Sequence, residues 1–327
     1  MFKKHSAHAL ITILSFIISI GGIINNIFYT IHLDNKAYLN NQAYVAHLYN
    51  EIVIKQLLDP LNLDWVFSYG VRNNGHNYVN GVFYILLLLG AIVYITSKNT
   101  KSILIRFVFS IIFFSNILSF VHSLLYYLSH LSARPFSSIR LKDILLDIVF
   151  YISYSVWIYV SYQMLKYFDR NKALSVEVVE ENGKTNSYYV KAFTGKRFLH
   201  PLVDVFVAIA LFSPILELFV HFNTDNLSRL MWQMHETWAE KNIWLLILIV
   251  RILYYLFFET VLGATPAKFL TETRVIDYDG TKPSFKNILV RTLSRLVPFE
   301  AFSFFADDGW HDKWSRTLVV KEETGIK

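Results

Sequence analysis

Long apolar runs constrain this chain more than any other feature of its sequence. "HALITILSFIISIGGIINNIFYTI" (His8 to Ile31), "GVFYILLLLGAIVYIT" (Gly81 to Thr96), "ILIRFVFSIIFFSNILSFVHSLLYYL" (Ile103 to Leu128) and "ILLDIVFYISYSVWIYVSYQMLKYF" (Ile144 to Phe168) fill much of the first half. Two more follow, from Pro201 to His221 and, as "IWLLILIVRILYYLFFETVL", from Ile243 to Leu262. A helix needs about 20 consecutive apolar residues to cross a bilayer core, and each run comes near that length, the second being short. The expected fold is an all-α polytopic membrane protein of about six transmembrane helices.

Composition agrees with that class. Charged residues make up 17% of the 327, against about 25% in soluble domains. Tyr, Phe and Trp are abundant, as in the aromatic belts of membrane interfaces. There is no cysteine, which excludes disulfides, thiolate metal sites and cysteine nucleophiles. The net charge of +6 reads as a positive cytoplasmic face rather than a nucleic-acid surface, so no nucleic-acid partner is expected. Lys and Arg are numerous in segments 1–8, 97–102, 166–200 and 263–327 and sparse in 31–80 and 222–242, while the loop 130–142, with three of them, argues mildly the other way. That bias places both termini on the cytoplasmic side of the membrane. The first run follows Lys3 and Lys4 like a signal peptide, but its length and the lack of a small-residue cleavage site favour an uncleaved anchor.

Three regions follow. Residues 1–170 form an N-terminal four-helix membrane region, with a long outer loop at 32–80 whose spacing up to Pro60 predicts an amphipathic helix lying on the outer membrane surface or capping the bundle. Residues 171–192 are a cytoplasmic β-hairpin linker: two β-prone runs flank Asn182-Gly183, a strong turn signal. Residues 193–321 form the third region. Within it "TETRVIDYDG" and "RTLVVKEE" alternate as strands do, and their pairing would bring Asp312 close to the membrane.

Charges on the last two spans raise the functional question. A carboxylate on a membrane helix costs about 3 kcal/mol on insertion scales. At about 1.5 Å of rise per residue, Asp204 and Glu259 lie at similar depth near the inner side, and Glu217 and Arg251 toward the outer side. Glu217–Arg251 reads as a pair stapling two helices. Arg197 and Asp204 share a helix face but are too far apart to pair, so Arg197 needs another anion, and Asp312 is the candidate. The cluster either docks the C-terminal segment or lines a polar cavity open to the cytoplasm. Arg291 and Arg295, one turn apart in "NILVRTLSRLVPFEAF", read as an interfacial helix touching anionic lipid headgroups, or as an ordinary solvated face. No metal set, Walker loop, Rossmann glycine pattern, HExxH or GxSxG is present. Neither a cofactor nor an enzymatic activity is expected.

The C-terminal region resembles the RDD family of bacterial membrane proteins. Arg197 matches the arginine heading the family's first helix, and Asp204 the aspartate within that helix. Asp312 in "WHDKWSRTLVV" matches the aspartate of the C-terminal pattern. "TPAK" (Thr265 to Lys268) matches TPGK with Ala267 in place of glycine, and "RVIDYDGTKPS" followed by Arg291 and Arg295 completes the order. The resemblance implies a membrane module for which transport is the usual role. Two readings follow. In one, a small ion or solute crosses through a polar path in the RDD-like half, with Asp204 as coupling carboxylate and Arg197 and Asp312 as a gate. In the other, the chain is a non-transporting scaffold or assembly partner. Six helices form a small bundle, which leaves room for a homo-oligomer.

Overall fold

In the computed structural model of the chain, residues 2–34, 60–61, 78–133, 141–181, 184–227, 235–297, 303 and 309–324 are described. The elements are α1 (Phe2–Asp34), α2 (Tyr78–Thr96), α3 (Ile103–Ala133), α4 (Leu141–Arg170), β1 (Lys172–Leu174), β2 (Val176–Glu181), β3 (Lys184–Tyr189), α5 (Thr194–Leu227), α6 (His235–Val261), α7 (Pro266–Thr271), β4 (Thr273–Asp277), α8 (Phe285–Ser294), α9 (Trp310–Ser315) and β5 (Thr317–Thr324). The chain divides into two compact units, one of residues 1–164 with 211–217 and one of residues 165–210 with 218–327.

The first unit is helical. Its outward faces are apolar: α1 exposes Leu10, Ile13, Ile17, Ile20 and Ile24 at helical spacing while burying Ser15 and Ser19. In water that pattern would be inverted; in lipid it is the stable one. Three helical stretches are long and apolar enough to cross a membrane among the described residues: Ser6–Ile27, Ile103–Leu125 and Asp147–Arg170. A shorter apolar helix covers Asn80–Thr96. The α3 stretch is 67% buried against 28% and 22% for the other two, so α3 forms the centre of this unit. Arg106, near its start, is fully buried. At Gly22 a Cβ would lie 2.5 Å from the Tyr84 ring, so glycine lets α1 and α2 close on each other. Of the loop expected to form a surface helix, most lies outside the described residues. Its Pro60-Leu61 pair is buried, and the Asn116 amide donates to the Pro60 carbonyl at 2.6 Å.

The second unit joins two long helices to a small sheet. The sheet order is β1-β5-β4. β4 runs antiparallel to β5 from Thr273↔Lys321 to Asp277↔Thr317, and β1 joins the other edge, Lys172↔Thr324 to Leu174↔Glu322. β2 and β3 pair separately, from Val176↔Tyr189 to Glu181↔Lys184. Backbone bonds from Ala192 to Val319 (2.8 Å) and from Lys321 to Val190 (3.0 Å) carry the chain after β3 along β5. Val275, Ile276, Val319 and Val320 form its buried apolar content.

Two short helices feed the paired strands by the same device. α7 ends at Glu272 (φ 52°) and α9 at Arg316 (φ 55°), both left-handed, and each is followed at once by a strand beginning with threonine. After β4 the chain turns at Asp277–Gly280, with the Gly280 amide donating to the Asp277 carbonyl at 2.9 Å. Gly280 has φ +82°, and a Cβ there would overlap the Tyr189 hydroxyl. Gly280→Ala is therefore expected to cost about 1–2 kcal/mol from the left-handed backbone alone, plus displacement of Tyr189. A thermal melt of the purified variant in detergent checks it.

Candidate functional site

The helices α5 to α9 each bring part of a buried charge cluster in the second unit. On α5, Arg197, His200 and Asp204 follow at intervals of three and four, which places them on one face. On α6, Arg251, Tyr255 and Glu259 follow at intervals of four. Pro266 at the first turn of α7 fixes the helix that carries Lys268, as proline does where no amide is needed. Ser284 caps α8, its hydroxyl accepting from the Asn287 amide at 3.2 Å. The buried side of α8 then presents Ile288, Arg291, Thr292 and Arg295. α9 carries His311 and Asp312.

Two carboxylates organise the cluster. Glu259 Oε1 accepts from Lys268 Nζ and from an Arg295 Nη2, both at 2.7 Å, and Arg291 Nε lies 3.3 Å from Oε2. Asp312 accepts from Arg197 through Oδ2 and from Arg291 through Oδ1, with His311 Nε2 at 3.4 Å. Arg291 Nη1 also donates to Thr317 Oγ1 at 2.8 Å. Arg291 thus connects α6 to α9 and β5 through one guanidinium. Asp204, Glu259, Arg291 and Asp312 are each 1% exposed. Burying them without partners would cost several kcal/mol per ion, which accounts for the density of pairing.

Asp204 stands beside this lattice in its own setting. Its Oδ1 accepts from the Tyr254 hydroxyl at 2.7 Å and from the Ala267 amide at 3.2 Å. Ala267 is itself buried, so an alanine at the TPAK position still lets the backbone reach the aspartate. On the other side, His200 Nε2 lies 2.6 Å from Thr271 Oγ1 and 3.2 Å from Thr273 Oγ1.

Outside the spans, burial above all pushes the Lys268 ammonium down to about 8. Glu259 and Asp204 oppose that shift, and Arg295 and Arg291 add to it. Burial, reinforced by Arg291, Arg295, Arg197 and Lys268, holds the His311 imidazole well below its ordinary value. It is therefore neutral at pH 7, so its 3.4 Å approach to Asp312 is not an ion pair.

The structure brings together Arg197 with Asp312, and Glu259 with three cations. It corrects the expectation for Arg291 and Arg295: these do not face lipid headgroups but turn inward onto Glu259 and Asp312. An amphipathic period shows which residues share a face and not what covers that face. Arg251 does not mark a separate outer layer. It lines a cavity of about 50 Å³ together with Arg197, Lys268, Arg291 and Arg295. The Glu217 side chain lies outside the described residues, so its pairing with Arg251 has no geometry here. Sequence reasoning missed Tyr254 as the partner of Asp204; a tyrosine on the neighbouring span at matching depth was the available signal. It also missed the Ser284 cap, which a serine followed by an amphipathic run announces.

The apolar outward faces of the first unit mark a multi-helix membrane protein, and the second unit carries a buried, charged internal site. The model of the RDD family matches residues 191–307, in the C-terminal half of the chain. Glu259 and its three cations fall inside the match, and Asp312 lies beyond its end. No curated protein and no solved structure matches the chain.

Proposed function

We propose that this chain is a six-span protein of the bacterial inner membrane, with both termini cytoplasmic, whose RDD half moves a small ion or solute. α5 and α6, 34 and 27 residues long, would supply the fifth and sixth spans, α2 being the short second one. The distribution of Lys and Arg supports the orientation. A bundle of this size would offer a path within each chain or between copies of a homo-oligomer.

The observation that carries the reading is Asp204: a fully buried carboxylate on a long apolar helix, held by a tyrosine hydroxyl and a backbone amide. A bundle built only for stability gains more from well-packed apolar residues at such a place. Intramembrane carboxylates typically mark ion and solute pathways. The scaffold reading draws on a different observation, the lattice that binds α5, α6, α8, α9 and β5 together as staples would.

Reconstituted flux separates the two. Asn at position 204 keeps an Oδ1 that accepts the same two hydrogen bonds, so Asp204→Asn is expected to fold and accumulate normally while losing ion flux in proteoliposomes, measured with and without a pH gradient. Flux unchanged by Asp204→Asn, or none from the wild type, would favour the scaffold.

A further inference from the structure

Two short helices of the second unit are inside out. On α8, Phe285, Leu289 and Leu293 follow at intervals of four and share a face. Phe285 and Leu293 are exposed and Leu289 is half-buried, while Ile288, Arg291, Thr292 and Arg295 are buried. On α9, Trp310 and Trp314 are exposed, while His311, Asp312 and Ser315 are buried. The two indoles stack, their centroids 6.1 Å apart and their planes within 17°. A single exposed hydrophobe is ordinary in water. Two helices that turn charge inward and large apolar side chains outward have the order expected beside an apolar surrounding.

The level of these helices is tied to α5. Asp312 on α9 pairs with Arg197 at the head of α5, and Arg291 on α8 pairs with the same aspartate. From that head α5 continues with Phe198, Leu199, Leu202, Val205 and Phe206 exposed, a face suited to acyl chains. α9 therefore sits where α5 enters the apolar layer. Neither short helix can cross that layer. Their 10 and 6 residues give ~15 Å and ~9 Å of helix, against a hydrocarbon core of ~30 Å. Tryptophan is enriched at the boundary between headgroups and hydrocarbon. Lys286, next to Phe285, and Lys313, next to Trp314, are exposed as well. Such stems lie along apolar surface and hold their ammonium groups in the polar layer.

We propose that α8 and α9 lie in the headgroup layer of the bilayer, with Phe285, Leu289, Leu293, Trp310 and Trp314 set into its boundary with the acyl chains. The occupant of these faces is lipid. Arg291 and Arg295 stay on the protein side with their carboxylates, and the opposite face of α8 meets the membrane. This placement rests on α5 being a span, as proposed for the chain, and it does not depend on transport.

The chain has no cysteine, so a single introduced cysteine can carry a nitroxide without further changes. Trp314→Cys and Leu293→Cys place labels on α9 and α8. Phe206→Cys places one on α5, and Glu323→Cys, at an exposed position of β5, gives the water reference. Each full-length variant is reconstituted in vesicles of phosphatidylcholine and phosphatidylglycerol. Power saturation is then read with oxygen, which concentrates in lipid, and with a nickel chelate, which stays in water. Labels at positions 314 and 293 are expected to relax more with oxygen than with nickel, at a depth of about 5–10 Å, that of the apolar face of an interfacial helix. The label at position 206 is expected to lie deeper. Should Trp314→Cys fold poorly, Leu293→Cys decides by itself. Nickel-dominated relaxation at positions 314 and 293, as at 323, with oxygen dominating at 206, overturns the interfacial placement and leaves α5 a span. Nickel dominating at 206 as well overturns the span, and the placement with it. Spectral broadening at 314 and 293 that disappears on dilution with unlabelled protein puts a second copy on these faces, and also overturns the placement.

Discussion

Glu259→Gln is expected to prevent the protein from accumulating, or to lower its stability by roughly 3–5 kcal/mol, the range for removing one partner of a buried ion pair. The substitution changes almost no volume. It removes the one negative charge shared by Lys268, Arg291 and Arg295, all buried. The measurement is the melting temperature and yield of the detergent-purified variant. A second change separates charge from packing: adding Lys268→Met removes one of the stranded cations, and the double variant is expected to recover part of the loss. A Glu259→Gln protein as stable as wild type would mean that the cations are neutralised elsewhere.

The second large effect is expected at Arg291. Its guanidinium reaches Glu259, Asp312 and Thr317 at once, and only a planar fork with several donors spans that set. Arg291→Lys keeps the charge but reaches one carboxylate at a time. It is expected to lose about 2 kcal/mol or more, nearly as much as Arg291→Met, in the range for breaking charged hydrogen bonds. A double-mutant cycle with Asp312→Asn is expected to give a coupling energy of about 1–3 kcal/mol. A lysine variant indistinguishable from wild type would show that charge alone, without geometry, holds α8 to α9.

How far the sequence could be read depended on what each pattern encodes. The pairing of β4 with β5 was legible because both segments alternate and each follows a short helix. Arg197 with Asp312 was legible from charge balance: a buried arginine at a helix head needs an anion, and few were within reach. The lattice around Glu259 was only half legible. Arg291 and Arg295 show the same helical period whether their face meets water, lipid phosphate or a carboxylate, and only the packed structure decides. Asp204 was expected beside Glu259, yet its direct partners are Tyr254 and the Ala267 amide. Sequence depth gives the layer in which a side chain sits but not its neighbour around the bundle. Arg106 went unremarked because a single cation in a strongly apolar run does not disturb the span. For the span count, apolar length alone singles out three full-length helices among the described residues.

The Arg197–Asp312 contact closes a gap of 115 positions, and that separation has a consequence during synthesis. A ribosome adding about 5–20 residues per second releases Arg197 roughly 6–23 s before its counter-ion. In that interval α5 and α6 are already made and Glu259 can gather Lys268, then Arg291 and Arg295, but the guanidinium at the head of α5 still waits for Asp312. The strand that follows Asp312 is also the one that fills the middle of the sheet. A nascent chain therefore acquires the counter-charge of Arg197 and its central strand in the same few residues, which makes this segment a late checkpoint for the folding of the whole second unit.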